Sequence, residues 1–353
     1  MAGTSSVVLA PSVQQLEKEG IEKVPEQYLQ PNQDPIFVSN TTSLPKLPVI
    51  DLSKLLCEDS VELEKLDHAC KEWGFFQLIN HGVNPSLVEN VKIGIQQFFN
   101  IPIEEKKKLW QTQEEMQGFG QAYVSLEDEK LRWGDMFSVR TFPLHIRHPN
   151  LIPLIPQPLR SLVDNLESYY LEMKRLCVTL IEYMRKALKV QPNELVDLFE
   201  EIDQSIRMNY YPPCPQPEQV IGLNPHSDGV ALTILLEVNE IQGLQIKKDG
   251  MWIPIKSLSN AFMVNIGDML EILSNGTYQS IEHRATVNSE KERISVGAFH
   301  SPHRGDISPA PSLVTPESPA LFKTISIADY VNGYLSSKIN GKSYLDGVRI
   351  QNS

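Results

Sequence analysis

Residues 226–236 read His226-Ser227-Asp228-Gly229-Val230-Ala231-Leu232-Thr233-Ile234-Leu235-Leu236, in which metal-binding residue types precede an apolar run. The apolar run predicts a buried strand. If the strand begins at His226, residues His226 and Asp228 point to the same face and place a nitrogen and an oxygen donor side by side. His283 offers a second imidazole further along the chain. Two histidines and one carboxylate form the facial triad that leaves coordination positions open on a non-haem iron(II) ion.

A His-x-Asp triplet is also common by chance, so an iron site requires support from other residues. The open positions of such an ion suit O₂ and a bidentate 2-oxo acid, whose far carboxylate needs a cationic anchor. Arg293 and Ser295 alternate in a predicted strand and therefore share a face. A guanidinium clamps a carboxylate through two hydrogen bonds. The alternative interpretation of Arg293 is a surface arginine, because charged Lys291 and Glu292 precede it.

A third segment, Arg207 to Pro215, combines a predicted strand with a proline-rich end. Asn209 and Tyr211 share one face of this strand. Taken alone, the segment predicts only a strand that ends in a rigid turn. Cys214 is interpreted as a buried filler, and His81 as a structural turn residue rather than a ligand.

Composition excludes several classes of function. The 353 residues carry a net charge of −12, so neither nucleic acid nor an anionic membrane is expected as the main partner. No apolar run approaches the ~18 residues that a membrane span requires. The four cysteines lack Cys-x-x-Cys spacing, which indicates reduced thiols rather than a zinc site. We expect a cytosolic protein, and a monomer because no heptad pattern occurs.

The order of the predicted elements indicates an α+β chain with a jelly-roll core, a helical N-terminal region and flanking helices. An N-terminal arm is predicted for residues 1–46 and a helical region for 47–200. A β-helix domain is predicted for 201–301, and a C-terminal helix and tail for 302–353. The stretch Gln117–Pro156 has weak periodicity and is expected to be a long functional loop.

The motifs together resemble those of the plant Fe(II)/2-oxoglutarate-dependent dioxygenases. The shared pattern is Asn209-x-Tyr211-Pro212, then His226-x-Asp228, His283 and Arg293-x-Ser295. The segments 69–77, 80–83 and 265–268 are also similar, and the resemblance extends from about Leu47 to the C-terminus. The branch that the chain resembles contains the senescence-related dioxygenases and the thebaine and codeine O-demethylases.

The resemblance implies a double-stranded β-helix in which His226, Asp228 and His283 bind iron(II). It implies that Arg293 and Ser295, assisted by Tyr211 and Asn209, bind the C5 carboxylate of 2-oxoglutarate. Ascorbate is an expected stimulant. The implied reaction consumes O₂, converts 2-oxoglutarate to succinate and CO₂, and hydroxylates the substrate. At an O-methyl group the product would be a hemiacetal that loses formaldehyde.

The resemblance also implies substrate contacts. These are expected from Tyr123, Met136, Ser138, Arg207 and Phe299. Close relatives often have Trp-Ala-Asp where this chain has Trp133-Gly134-Asp135, followed here by the small Ser138, which is expected to widen the pocket. The expected substrate is a small plant metabolite, an alkaloid, flavonoid or other phenolic, that is hydroxylated or O-demethylated.

Three alternatives stay open at this point. The first is an oxidase of the same fold that does not use 2-oxoglutarate, similar to the ethylene-forming oxidase. The second is a dioxygenase that modifies a hormone. The third is a ligand-binding protein without activity, which the complete set of metal-binding residues disfavours.

Overall fold

The computed structural model describes residues 11–30, 34, 45–112, 117–121, 130–148, 151–336 and 342–351. Within these ranges, no helix combines the length and the apolar character needed to cross a membrane.

Helices surround the β core and are concentrated in the first 200 residues. They are α1 (Val13–Lys18), α2 (Leu52–Leu56), α3 (Ser60–Glu72), α4 (Pro85–Asn100), α5 (Ile103–Lys107), α6 (Arg160–Leu188), α7 (Pro192–Leu195), α8 (Asp268–Leu273), α9 (Ile327–Ser336) and α10 (Ser343–Val348).

The strands are short, and most of them follow residue 200. They are β1 (Val49–Asp51), β2 (Phe75–Ile79), β3 (Gly118–Gly120), β4 (Asp135–Phe142), β5 (Ile202–Tyr211), β6 (Leu223–His226), β7 (Leu232–Glu237), β8 (Leu244–Lys248), β9 (Met251–Pro254), β10 (Phe262–Ile266), β11 (His283–Ala285), β12 (Arg293–Pro302), β13 (Asp306–Ile307) and β14 (Ile325–Ser326).

Two sheets face each other and form the jelly roll. The major sheet has the order β1-β2-β10-β7-β12-β5-β4-β3, and the minor sheet has the order β6-β11-β8-β9. Apolar side chains of both sheets, among them Phe75 and Met263 from the major sheet and Ile246 and Ile253 from the minor sheet, form one buried cluster. The predicted α+β jelly roll with flanking helices is therefore confirmed.

The major sheet has one face against the helices and one face toward the interior of the jelly roll. In β5, Ile206 and Met208 belong to the same buried core as Leu176 and Leu180 of α6. Because side chains alternate along a strand, Arg207 must point away from this core. The same alternation in β4 and β12 turns polar residues into the space between the sheets. Because α6 covers one face of the major sheet, only side chains on the opposite face are available to form a site.

The stretch Gln117–Pro156 is not the long loop that the sequence suggested. It contains β3 and β4, and β4 pairs with β5. Phe137 and Val139 enter the helix-facing core, whereas Met136 and Ser138 lie on the opposite face. Apolar and polar side chains therefore alternate in β4, but polar residues on the face between the two sheets weaken the apolar pattern of its sequence. The major sheet draws strands from both 47–200 and 201–301, and the domain boundaries stay a prediction.

The N-terminal arm is attached to the start of β4. The carboxylate of Asp135 accepts hydrogen bonds from Ser12 Oγ at 2.6 Å and from the backbone N–H groups of Val13 at 2.9 Å and Gln14 at 3.0 Å. Tyr28, also in the arm, lies edge-on to Trp133 at 5.4 Å between ring centroids. The arm therefore buries the end of the strand that carries Ser138.

Gly74 lies between α3 and β2 and has a φ of +59°. A Cβ at this position would collide with the backbone oxygen of Gln279 and lie 2.6 Å from a side-chain carbon of Ile281. Gly20 has a similar φ of +69°, but no atom lies within 4 Å of the position of its Cβ. Substitution at Gly74 would therefore cause both backbone strain and a steric collision, whereas substitution at Gly20 would cause backbone strain alone.

We expect Gly74→Ala to lower the free energy of unfolding by more than about 3 kcal/mol, since the left-handed conformation and the collision both act. Gly20→Ala is the matched control, with an expected cost of about 1–2 kcal/mol from the conformation alone. Urea unfolding followed by circular dichroism measures both. Equal losses in the two variants would contradict the predicted collision.

Candidate active site

Two imidazoles meet at the edge of the minor sheet. His226 and His283 are direct partners in the β6–β11 ladder, and their ring centroids lie 4.3 Å apart. The Nδ1 atom of His226 lies 2.8 Å from the carbonyl oxygen of Asn224, and that of His283 lies 3.2 Å from the carbonyl oxygen of Ile281. A carbonyl only accepts, so each Nδ1 carries the proton and each Nε2 offers a free lone pair.

Asp228 supplies the third candidate ligand. Its Oδ1 atom lies 3.5 Å from His226 Nε2 and 3.6 Å from His283 Nε2. Its Oδ2 atom accepts hydrogen bonds from the Thr233 hydroxyl at 2.7 Å and the Asn265 amide at 2.8 Å. One carboxylate oxygen is thus held by the major sheet, and the other faces the two imidazoles.

The local backbone differs from the sequence interpretation. Strand β6 ends at His226, and Asp228 lies in the segment that crosses from the minor to the major sheet. The two side chains converge because Thr233 and Asn265 hold Asp228 in place, not because His226 and Asp228 share a strand face. Neither Thr233 nor Asn265 was assigned a role from sequence, although Asn265 falls in a segment that resembles the family.

The electrostatics favour ligands in the protonation states that metals require. Burial alone would raise the pKa of Asp228, but the neighbouring imidazoles and the Thr233 hydrogen bond outweigh it and hold the pKa below its usual range. Burial, with a further contribution from His226, lowers the pKa of His283 to about 4. At neutral pH the carboxylate is therefore ionised and the His283 imidazole neutral.

The donor set fits iron(II). One ligand atom from each of His226, Asp228 and His283 lies within 4.8 Å of the other two, and among the described residues this is the only such group of three or more. Two nitrogens and one oxygen on one side are the facial arrangement typical of non-haem iron(II) oxygenases.

A first pocket, with about 460 Å³ of empty volume, extends from Asp228 to Arg293. Arg293 is directly opposite Tyr211 in the β12–β5 ladder, and Ser295 is directly opposite Asn209. The Asn209 amide lies 3.4 Å from the Ser295 hydroxyl. All four residues line this pocket, and Arg293 is only 2% exposed. The alternative interpretation of Arg293 as a surface residue is therefore wrong.

The Tyr211 ring lies between two glycines. A Cβ on Gly134 or on Gly222 would lie 2.8 Å from Cδ1 of this ring. Gly134 is the position at which the sequence interpretation noted a departure from the family pattern. Its lack of a side chain gives room to the Tyr211 ring, which lines the first pocket.

A second pocket, with about 620 Å³ of empty volume, shares Asp228 with the first. Of the five expected substrate contacts, Ser138, Arg207 and Phe299 line it. Met136 is buried and lines neither pocket, so its assignment as a contact is not supported. Tyr123 lies outside the described residues.

The second pocket also contains residues that the sequence interpretation missed. They are Arg132, which lies shortly before β4, and Tyr334, which belongs to α9. The Tyr334 hydroxyl donates to the backbone oxygen of Ser227 at 3.2 Å. A position so distant in sequence from the motifs carries no local pattern that could have revealed it.

Two facing sheets with two histidines and an aspartate at their opening define a non-haem iron(II) oxygenase. Family models agree: that of the 2OG-Fe(II) oxygenase superfamily matches residues 202–302, and that of the non-haem dioxygenase in morphine synthesis N-terminal region matches residues 47–154. The chain belongs to this superfamily.

Similar proteins span nearly the whole chain. Protein SRG1 of Arabidopsis thaliana is 51% identical over 98% of each chain. Oxoglutarate-dependent flavonoid 7-O-demethylase 1 of Ocimum basilicum is 49% identical over 97% of this chain and 91% of its own. Codeine O-demethylase of Papaver somniferum is 49% identical over 96% of each chain. The crystal structure of JOX2 in complex with 2OG, Fe and JA is 31% identical, with a TM-score of 0.87, and covers 97% of this chain and 98% of that one.

The protein is therefore an oxidoreductase, a dioxygenase that uses iron(II) and 2-oxoglutarate.

We expect Thr233→Val to weaken metal binding by about 10–100-fold, because Asp228 Oδ2 loses a donor that orients the ligand. Thr141→Val is the matched control: Thr141 is fully buried and donates to the Gln204 carbonyl at 3.1 Å, away from the triad. Calorimetric titration with Mn(II) under nitrogen measures the affinity of both variants. An affinity equal to that of the unmodified protein in Thr233→Val would refute the orienting role.

Proposed function

We propose that His226, Asp228 and His283 hold the iron(II), and that Arg293, Ser295, Tyr211 and Asn209 hold 2-oxoglutarate. The observation that carries this proposal is the place of Asp228, which lines both pockets. A co-substrate in the first pocket and a substrate in the second pocket would both reach the same metal. Bound iron(II) and 2-oxoglutarate would together supply the activation of O₂.

Other residues of the two pockets would orient the co-substrate and the substrate. Arg293 and Ser295 would bind the far carboxylate of 2-oxoglutarate and so direct its 2-oxo acid end toward the triad. Arg207 and Phe299 line both pockets, and the Arg207 guanidinium lies 4.9 Å from the centre of the Phe299 ring. With substrate in the second pocket and co-substrate in the first, this pair would contact both of them.

We infer that the substrate is a small plant specialised metabolite, an alkaloid, flavonoid or other phenolic. The support is the similarity to the flavonoid 7-O-demethylase and to codeine O-demethylase. Both relatives are O-demethylases, which favours removal of a methyl group over hydroxylation. The second pocket brings an aromatic ring, Phe299, together with the polar side chains of Ser138 and Arg207, a mixture typical of sites for small molecules. We further propose that the protein acts as a monomer in the cytosol.

A second candidate is a dioxygenase that modifies an acidic hormone. The observation in its favour is Arg207, which lines the second pocket and forms no ion pair with an acidic side chain of the described residues. A guanidinium in that position suits a carboxylate or an acidic phenol.

A metabolite library incubated with the protein, Fe(II), ascorbate and 2-oxoglutarate tests these proposals. Loss of CH₂ from a product mass indicates demethylation, and gain of one oxygen indicates hydroxylation. Conversion of carboxylic acids alone would favour the second candidate. Turnover without succinate would contradict the use of 2-oxoglutarate.

We expect Asp228→Ala to abolish substrate turnover and the succinate formation coupled to it, since the ligand shared by both pockets is lost. The fold should persist, because the removed carboxylate is a candidate metal ligand and not part of the apolar core. Asp164→Ala, at an exposed position of α6, is the control and should behave like the unmodified protein. Coupled turnover in Asp228→Ala would refute the assigned triad.

A further inference from the structure

The arginine at the end of the first pocket already has an anionic partner inside the protein. Oε1 of Glu237 lies 2.6 Å from Nη2 of Arg293, and the two side chains are 13% and 3% exposed. Glu237 is the last residue of β7 and is directly opposite Ser295 in the ladder with β12. The carboxylate thus stands beside both residues that would receive the co-substrate.

The surrounding chain fixes the Arg293 side chain at several points. A Cβ on Gly243 would lie 2.6 Å from Arg293 Cδ, so the backbone at Gly243 presses against the arginine stem. The Tyr211 ring centre lies 5.3 Å from the guanidinium carbon. Glu237 restrains the charged end. Together these contacts hold the guanidinium in one orientation before any ligand arrives.

The contact between Glu237 and Arg293 involves one nitrogen and one oxygen. Nε of Arg293 and Oε2 of Glu237 are buried without a hydrogen-bond partner among the described residues. A bidentate pair would use both carboxylate oxygens and two guanidinium nitrogens. The one-point contact leaves donor capacity on the guanidinium for a second carboxylate.

A second carboxylate would share one cation with Glu237. A buried cation without a partner is costly, so Glu237 stabilises Arg293 while the pocket is free of ligand. When the far carboxylate of 2-oxoglutarate binds, two anions lie close together in a site of low dielectric and repel each other. The same residue that orients the anchor therefore opposes part of its attraction for the co-substrate.

We propose that Glu237 is a positioning residue that orients Arg293 and lowers the affinity of the protein for 2-oxoglutarate. The proposal rests on the proposed role of Arg293 as the anchor of the far carboxylate. It concerns the co-substrate alone, because Glu237 lines neither of the two pockets and acts through Arg293.

The test is Glu237→Gln, which keeps the shape and the hydrogen bond but removes the charge. Two acids are titrated into the Mn(II)-loaded protein under nitrogen and followed by calorimetry. The first is 2-oxoglutarate. The second is 2-oxopentanoate, in which a methyl group replaces the far carboxylate. We expect the Kd of 2-oxoglutarate to fall at least about fivefold in the variant, because a neighbouring like charge is removed. The Kd of 2-oxopentanoate should not change.

Glu292→Gln is the matched control. Glu292 directly precedes Arg293, but its carboxylate accepts a hydrogen bond from the Tyr210 hydroxyl at 2.7 Å and points to the other face of the strand. We expect this variant to bind both acids as the unmodified protein does. An equal gain in the two glutamate variants would mean that overall charge, rather than the contact with Arg293, determines the affinity, and would overturn the proposal.

Arg293→Ala separates failure of this proposal from failure of the anchor assignment. If Arg293 is the anchor, the alanine variant loses most of its preference for 2-oxoglutarate over 2-oxopentanoate. An unchanged preference would refute the anchor itself. If the preference is lost but Glu237→Gln leaves the Kd of 2-oxoglutarate unchanged, raises it, or lowers the Kd of both acids alike, the role of Glu237 is overturned and the anchor stands.

Discussion

The arrangement of the site depends on one buried carboxylate, whose two oxygens face different partners. Asp228 is 5% exposed, and an isolated charge at that depth would be costly. Thr233 and Asn265, which are direct partners in the β7–β10 ladder, satisfy one oxygen. The other is left to the imidazoles of the minor sheet. The carboxylate therefore joins the two sheets at their opening, and it is there that both pockets meet.

The sequence sufficed for the parts of this arrangement that obey local rules. Alternation along strands correctly placed Arg293 with Ser295 and Asn209 with Tyr211. Residue chemistry grouped His226, Asp228 and His283, whose candidate ligand atoms lie within 4.8 Å of one another in the structure. It did not reveal Glu237, Thr233 or Tyr334, because what brings these residues to the site is pairing between strands or the path of a distant helix. Strand β4 was missed for a related reason: its inward face carries the polar residues of a site, which weakens the apolar pattern.

The two arginines that line the pockets differ in their ionic partners. Arg293, in the first pocket, forms an ion pair with Glu237. Arg207, which lines both pockets, lies against the Phe299 ring and forms no ion pair with an acidic side chain of the described residues. The residues that line the second pocket come from widely separated parts of the chain, from Arg132 to Tyr334.

The hydrogen bonds between Asp135 and the arm limit how far the N-terminus of this protein can be truncated. The family model for the N-terminal region begins at residue 47, but the carboxylate of Asp135 is satisfied by Ser12, Val13 and Gln14. A fragment that starts at residue 47 would expose a buried acid at the first residue of β4, three positions before Ser138. The smallest unit that keeps these hydrogen bonds therefore extends back at least to Ser12.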